Sequence, residues 1–188
     1  MANFALKSQG KSLLSFCVCL KTGAKVLSYM PSAVHPKQRQ TLNWFGIALH
    51  MPSVTPDVVL QGRTRLQPGE CWGFEGSQGH LAIALSHRVV VNHVTLGHLP
   101  KMLSPTGNSW SAPKEFSVYG MTDPEQEWTH LGTFLYDENG EPLQTFELPS
   151  HRRAAFRYIK LDISSNWGHV KHTCVYDFRV HGKFAPED

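Results

Sequence analysis

An alternation of apolar and polar side chains with a period of two constrains the fold of this chain more than any other feature. It is clearest in residues 174–181, CVYDFRVH, where the period of two places Cys174, Tyr176, Phe178 and Val180 on one face and Asp177, Arg179 and His181 on the other. Successive side chains of a β-strand point to opposite faces of the sheet, so this pattern predicts a strand with one buried face. Residues 157–163 alternate in the same way and predict a second such strand.

Further strand candidates are spread along the rest of the chain. They are residues 58–61, 80–85, 94–99, 115–121, 131–136 and 143–148. A turn signal, DENG at residues 137–140, lies between the last two and predicts a hairpin. Many short strands separated by Gly and Pro, with no compelling long helix, predict an all-β fold. We expect an antiparallel β-sandwich or jelly roll with long loops.

Composition and charge exclude several classes of protein. With 41% hydrophobic and 18% charged residues, the 188-residue chain can bury a core and is not intrinsically disordered. The early apolar run LLSFCVCL, at residues 13–20, is shorter than the roughly 18 residues that cross a bilayer. The net charge of +3 is too small to indicate a nucleic-acid partner.

The distribution of charge divides the chain into two parts. Residues 1–50 contain six Lys or Arg and no Asp or Glu, whereas nine basic and twelve acidic residues follow from residue 95 onward. Residues 15–40 also show no clear period. We therefore predict an atypical N-terminal arm at residues 1–41 and a β-sandwich body at residues 42–188.

Common catalytic motifs are absent from the sequence. It contains no P-loop, GxGxxG, HExxH or GxSxG, so we expect no enzyme activity. The four Cys include no CxxC pair, which disfavours a zinc ribbon or a thioredoxin-type site. His169, His172 and Cys174 form the densest group of metal-type side chains. A fourth ligand would have to come from far away, so ordinary loop and strand roles are favoured for them.

Three local motifs are informative because of their order and spacing. They are PGECWGF at residues 68–74, SAPKEF at 111–116 and SNWGH at 165–169, and TCVYDFRVHG follows at 173–182. Each motif alone is compatible with a turn that leads into core residues. Together they resemble the SUN domains, the luminal C-terminal domains of nuclear-envelope proteins, and the testis-type members look nearest.

The resemblance implies a fold, a partner and a location. SUN domains are β-sandwiches that bind the C-terminal tails of KASH proteins in the perinuclear space, on the luminal side of the inner nuclear membrane. In this LINC complex they connect the nucleus to the cytoskeleton. The family forms a homotrimer on a coiled-coil stalk, but no heptad run precedes Asn3. We therefore expect a monomer or a weak trimer for this chain.

The resemblance also implies a peptide-binding pocket. His98, Ser111 and Tyr176 match positions that enclose the end of the KASH tail in the family. Gly73 matches a position where a small residue keeps the pocket open. His172 stands where the family usually has Tyr, which changes a hydrogen-bonding group and removes aromatic area.

A disulfide and a cation site follow from the same resemblance. Cys71 and Cys174 match the family's intramolecular disulfide, which requires Cα atoms roughly 4.4–6.8 Å apart. We expect this bridge to hold Gly73 beside Tyr176. The family needs no other cofactor but binds a monovalent cation, K⁺ or Na⁺, in a loop before the first of these Cys. The corresponding residues here are Val58, Gln61, Glu70 and Tyr176. The loop is two residues longer than in the family, and two Arg in its GRTRLQ segment, residues 62–67, disfavour a cation.

The N-terminal region departs most from the family pattern. Residues 11–39 replace the family's hairpin lid with a longer, basic segment. Cys17 and Cys19 fall near a position where some members bond covalently to the partner. A carbohydrate- or lipid-binding jelly roll is the alternative function, with Trp110 and Trp128 as exposed platforms.

Overall fold

A computed structural model describes residues 16–18, 23–29, 42–44, 47–49, 54–63, 65–149 and 154–186. These residues form twelve strands and two short 3₁₀-helices. The strands are β1 (Phe16–Val18), β2 (Lys25–Tyr29), β3 (Leu42–Trp44), β4 (Ile47–Leu49), β5 (Trp72–Glu75), β6 (Gly79–Gly97), β7 (Glu115–Met121), β8 (Thr129–Leu135), β9 (Leu143–Glu147), β10 (Ala155–Ile163), β11 (His172–Val175) and β12 (Asp177–Phe184). The 3₁₀-helices are Pro56–Leu60 and Lys101–Leu103. Neither helix is long and apolar enough to cross a membrane.

Strand β6 connects the two layers of the fold because it is 19 residues long. Residues 79–90 of β6 pair with β10 and, in part, with β2. Residues 89–97 pair with β12 and, in part, with β9, and all four pairings are antiparallel. The ladders to β10 and β12 contain register shifts, between Phe156 and Tyr158 and between His181 and Gly182. Such bulges bend a strand and increase its twist, which lets one strand belong to two layers.

The resulting layers are β2–β6–β10–β7–β8 and β9–β6–β12–β1. The core lies between them and contains the alternating apolar residues of the sequence. Ile159, Leu161 and Ile163 of β10 and Phe178 and Val180 of β12 are each 1% exposed or less. The predicted antiparallel β-sandwich is confirmed.

Aromatic packing joins the layers near the later strands. The ring centroid of Phe116 lies 5.5 Å from that of Phe134 and 5.1 Å from that of Phe146. These rings come from β7, β8 and β9. Burying one such side chain contributes about 1.5–3 kcal/mol, so the cluster stabilises the contact between the two layers.

Two predicted strands have a different structure. Residues 58–61 were predicted as a strand, but Pro56–Leu60 is a 3₁₀-helix with Pro at its start. Proline presets a helical φ and lacks the N–H that a sheet ladder needs, which explains the difference. Residues 174–181 do not form one strand, because the chain leaves the β5–β11 pair and joins β6 at Tyr176.

The alternation also misplaced one polar residue. Asp177 was predicted on the outer face, yet it is 1% exposed. Its carboxylate accepts hydrogen bonds from the Arg179 guanidinium at 2.7 and 3.0 Å. Burial is possible because this ion pair satisfies the carboxylate.

The DENG turn forms, but the predicted hairpin is wrong. The Gly140 N–H donates to the Asp137 carbonyl at 3.1 Å, which closes the turn. However, β8 pairs with β7 whereas β9 pairs with β6. The turn therefore takes the chain from one layer to the other.

The predicted N-terminal arm is only partly described. Within it, β1 pairs with β12 and β2 pairs with β6. Beyond it, β3 and β4 pair with each other. Most of the predicted lid, residues 11–39, and Cys19 lie outside the described residues, and the boundary at residue 41 stays a prediction.

Candidate functional site

Three segments meet at one end of the sandwich. The end of β6 meets the start of β12 where the Tyr176 N–H donates to the Gly97 carbonyl at 3.0 Å. The loop before β7 meets β11 where the Cys174 N–H donates to the Ser111 carbonyl at 2.8 Å. These backbone bonds bring His98 together with Ser111 and Tyr176, three predicted site residues that are far apart in sequence.

His98 makes a defined pair of hydrogen bonds. Its Nδ1 lies 2.9 Å from the Leu99 carbonyl oxygen and its Nε2 lies 3.1 Å from Ser111 Oγ. A carbonyl oxygen only accepts, so Nδ1 bears the proton and donates. In the neutral ring Nε2 is then an acceptor, and the Ser111 hydroxyl donates to it.

His98 and Tyr176 are uncharged at neutral pH. Burial lowers the pKa of His98 from 6.5 to about 4, although its bond to the Leu99 carbonyl works in the opposite direction and the nearby His172 lowers it further. Burial raises the pKa of Tyr176, and hydrogen bonding with the Gly69 backbone partly offsets this effect. The two rings meet edge to face with centroids 5.3 Å apart. The site therefore offers neutral hydrogen-bonding groups in apolar surroundings.

The predicted disulfide is confirmed and braces this site. Cys71 and Cys174 are bonded, with Cα atoms 5.7 Å apart. Both pack with Leu99 and Tyr176 in a small buried cluster, against which Leu66 lies. The bridge thus joins the residue before β5 to β11 and packs against Tyr176.

Gly73 lies opposite Cys174 in the β5–β11 ladder and is exposed. A Cβ atom added there would meet only Cys174 Sγ, at 4.0 Å, which is an ordinary contact. Packing within the described residues therefore does not require glycine at this position. Apart from its chain neighbours, no other heavy atom among the described residues lies within 4 Å of that Cβ, and the role of Gly73 in a pocket stays a prediction.

His172 lies at the edge of the site. It is opposite Glu75 in the β5–β11 ladder, and its ring centroid is 3.9 Å from that of His169. The His172 N–H donates to His169 Nδ1 at 3.1 Å. The SNWGH motif is thereby joined to β11.

Asn166 and Thr173 support the site but were not predicted. Asn166 Nδ2 donates to the carbonyl oxygens of His169 at 2.9 Å and His172 at 3.3 Å, and to Thr173 Oγ1 at 3.0 Å. The buried Thr173 hydroxyl donates in turn to the Gly76 carbonyl at 2.7 Å. Both residues belong to motifs that carried the resemblance, which was the only signal for them in the sequence.

Two of the predicted cation residues have side-chain oxygens that are already engaged by Arg63. The Val58 carbonyl accepts the Gln61 N–H at 3.4 Å. Gln61 Oε1 accepts from Arg63 Nε at 2.7 Å, and the Glu70 carboxylate forms an ion pair with the Arg63 guanidinium. The Tyr176 phenol hydrogen-bonds with the backbone of Gly69 in the same loop. The side-chain oxygens of Gln61 and Glu70 are therefore engaged by a guanidinium, and the cation site stays a prediction.

No group of three or more His, Cys, Asp or Glu side chains is arranged to hold a metal ion among the described residues. The Trp residues considered as glycan platforms differ in exposure. Trp110 is 54% exposed, whereas Trp128 is half-buried with Lys160 Nζ 5.3 Å from its ring centroid. Carbohydrate or lipid binding stays a prediction.

A cleft of about 560 Å³ lies next to the site. Its apolar wall includes Leu66, Pro100, Leu103 and Pro142. Leu66 also packs against the disulfide cluster, so the cleft and the Tyr176 region share one loop.

Solved structures of low sequence identity share the fold. The family 32 carbohydrate-binding module of Streptococcus pneumoniae EndoD aligns with a TM-score of 0.63 and 15% identity, over 89% of this chain and 100% of that one. A putative chitobiase fragment from Bacteroides thetaiotaomicron aligns with a TM-score of 0.66 and 15% identity, over 98% of this chain and 100% of that one. At these identities the likeness shows a common β-sandwich fold.

Sequence comparison is more specific. SUN domain-containing protein 2 of Mus musculus is 44% identical over 164 residues, which is 87% of this chain and 22% of that protein. SUN domain-containing protein 3 of Homo sapiens is 42% identical over 183 residues, 97% of this chain and 47% of that protein. The chain thus spans less than half the length of these two relatives.

The family model described as Sad1/UNC-like C-terminal matches residues 50–184. This range contains all the residues of the site, and the identities to the SUN domain-containing proteins extend over most of the chain. The chain therefore belongs to the Sad1/UNC-like C-terminal family, the SUN domains.

Proposed function

We propose that this chain binds the C-terminal tail of KASH proteins in the perinuclear space, as the SUN component of a LINC complex at the nuclear envelope. Membership of the SUN family supports the class of partner. The observation that carries the proposal is the neutral group that His98, Ser111 and Tyr176 form, next to the β5–β11 pair on which Gly73 is exposed.

The chemistry of this group suits the end of a peptide. A terminal carboxylate binds where hydroxyl and backbone donors meet, a known mode of peptide recognition. Tyr176 keeps its phenolic proton because burial raises its pKa. The Ser111 hydroxyl donates its proton to His98 Nε2 in the free protein, so it would turn from His98 to donate to the carboxylate. Hydrogen bonds to a charged group contribute about 1.5–3 kcal/mol each, so a carboxylate gains more here than a neutral amide.

The disulfide supports the proposed location. Disulfides persist in oxidising compartments such as the lumen of the endoplasmic reticulum and are rare in the cytosol. The Cys71–Cys174 bridge lies behind the proposed pocket, where it would hold the wall formed by β5 and β11.

The direct test compares two forms of one labelled KASH-tail peptide by fluorescence polarisation. One form has a free C-terminal carboxylate and the other a C-terminal amide. We expect the amide to bind about 10- to 150-fold more weakly, which corresponds to one lost charge-assisted hydrogen bond. Equal affinity for the two forms would disprove capture of the carboxylate.

A matched pair of Ser variants assigns the pocket. Ser111→Ala should weaken binding of the free-carboxylate peptide about tenfold or more. Ser117→Ala is the control, because Ser117 bonds to Thr133 on the exposed face of β7. If both variants bind like the wild type, the pocket lies elsewhere.

The oligomeric state needs its own measurement. We expect a monomer or a weak trimer for this chain, to be determined by sedimentation velocity over a range of protein concentrations. A tight trimer at micromolar concentration would contradict this expectation.

A further inference from the structure

The loop between the 3₁₀-helix Pro56–Leu60 and β5 contains an ion pair, Arg63–Glu70. Arg63 reaches back to Gln61 Oε1 at 2.7 Å and forward to the Glu70 carboxylate. The Arg63 guanidinium therefore joins Gln61, at the beginning of the loop, to Glu70, at its end. Arg is suited to this because its planar fork presents several donors in fixed directions.

The same loop is attached to β12 through a second guanidinium. Arg179 Nη2 donates to the Arg63 carbonyl at 2.9 Å. Arg179 also pairs with Asp177, whose side chain is only 2% exposed. The buried Asp177–Arg179 ion pair on β12 thus holds the backbone of the loop at Arg63. The side chain of Arg63 in turn joins the two ends of the loop.

The charges in this region balance without a metal ion. The carboxylates of Glu70 and Asp177 face the guanidinium groups of Arg63 and Arg179. Arg65, in the same loop, adds a further positive charge. A monovalent cation placed here would lack a net negative charge to attract it and would meet like charges at close range.

The loop is also a wall of the proposed peptide site. Leu66 packs against the cluster of Cys71, Leu99, Cys174 and Tyr176. The Gly69 backbone meets the Tyr176 phenol. A change in the conformation of this loop would therefore alter the surroundings of Tyr176.

We propose that the Arg63 guanidinium organises this loop in place of a bound monovalent cation. Arg63 is a positioning residue in this proposal, because it acts on the pocket through the loop. Its effect on peptide binding rests on the proposed function, whereas its effect on cation dependence does not.

The first experiment measures cation dependence without a peptide. Thermal unfolding of the wild-type chain is followed in potassium, sodium and choline chloride at equal ionic strength. We expect the same midpoint in all three salts. A midpoint that is higher in potassium or sodium than in choline would overturn the proposal.

The second experiment uses variants of two Arg in the same loop. Arg63→Gln removes the charge that joins the ends of the loop and should lower the unfolding midpoint. Arg65→Gln is the matched control, because the described part of the chain shows no ion pair at Arg65, and it should leave the midpoint unchanged. Arg63→Lys keeps the charge and should recover part of the loss. Equal midpoints for Arg63→Gln and Arg65→Gln, or for Arg63→Gln and Arg63→Lys, would overturn the proposal.

Peptide binding provides the functional readout. Arg63→Gln should lower the affinity for the KASH-tail peptide about fivefold, whereas Arg65→Gln should leave this affinity unchanged. Equal peptide affinity in the two Gln variants would overturn the positioning role. If the wild-type chain does not bind the peptide at all, the proposed function fails, and the melting comparisons still decide whether Arg63 replaces a cation.

Discussion

The Nε2 atom of His98 and the Oγ atom of Ser111 lie 3.1 Å apart, which joins the end of β6 to the loop before β7. Because the Leu99 carbonyl keeps the His98 proton on Nδ1, the Ser111 hydroxyl is the donor in this contact. The relationship depends on a neutral imidazole. A second proton on His98 would remove the acceptor that Ser111 uses.

Stability should therefore fall in acid because of His98. Its pKa is about 4 in the folded chain against 6.5 as the ordinary value. The unfolded chain then binds more protons between these pH values, so protonation favours unfolding as the pH falls through this window. We expect His98 to remove about 2 kcal/mol from the free energy of unfolding between pH 7 and pH 5. Urea denaturation at both pH values measures this loss.

The control for that experiment is His98→Asn, which retains a donor for the Leu99 carbonyl but does not titrate. The other shifted groups, such as Asp177 and His181, titrate in both proteins, so the difference between the two pH slopes isolates His98. Identical slopes would show that His98 is not held neutral by the fold.

Substitution by alanine should have very different effects on stability at two glycines of the fold. Gly73→Ala should change the free energy of unfolding by about 0.5 kcal/mol or less, since the new methyl group meets only Cys174 Sγ at 4.0 Å. Gly182→Ala should cost about 1–3 kcal/mol, because its methyl group would overlap the Val90 carbonyl at the bulge. Chemical denaturation of both variants measures the contrast, and a larger loss for Gly73→Ala would contradict it.

Removing the disulfide should be costly. The bridge closes 103 residues, and a loop of this length stabilises by about 4–5 kcal/mol through the entropy of the unfolded chain. The double variant Cys71→Ala with Cys174→Ala should lose this amount in urea denaturation. A reducing agent should destabilise the wild type similarly and the double variant no further. A wild type that is indifferent to reduction would mean that the bridge contributes little.

Asn166 should be intolerant of a carboxylate. Asn166→Asp replaces the amide that donates to the carbonyl oxygens of His169 and His172 with an acceptor, which should cost about 1.5–3 kcal/mol. Asn139→Asp is the control, because Asn139 Oδ1 accepts from Lys101 Nζ and a carboxylate retains that contact. Similar denaturation midpoints for the two variants would show that Asn166 does not hold the SNWGH loop.

Local sequence patterns predicted where strands and turns form better than they predicted which strands pair with each other. The alternation in residues 157–163 correctly predicted the buried face of β10, because period two directly reports which side chains face the core. The DENG turn was also correct, but the hairpin was not. A turn signal describes only four residues. The pairing of β9 with β6 joins residues about fifty positions apart in sequence, which a turn signal does not report.

The candidate site was predictable only through the family resemblance. Nothing in the local sequence relates His98 to Ser111 or Tyr176, since their contacts depend on three separate segments meeting. The sequence analysis noted two Arg in the loop before Cys71 as unfavourable for a cation, and this stays a prediction. The partners that engage Arg63 could not be inferred, because the loop has no periodicity.

The amino-acid sequence alone specified the buried face of β10, the position of the DENG turn and the motifs that carry the family resemblance. These properties are local, so neighbouring residues encode them. Only the tertiary structure decided that β6 serves both layers, that Asp177 is buried with Arg179 and that Arg63 closes its loop. The double pairing of β6 and the burial of Asp177 depend on segments distant in the chain, whereas Arg63 meets Gln61 and Glu70 within its own loop. Their free energy arises from packing and charge pairing that exist only once the sandwich has formed.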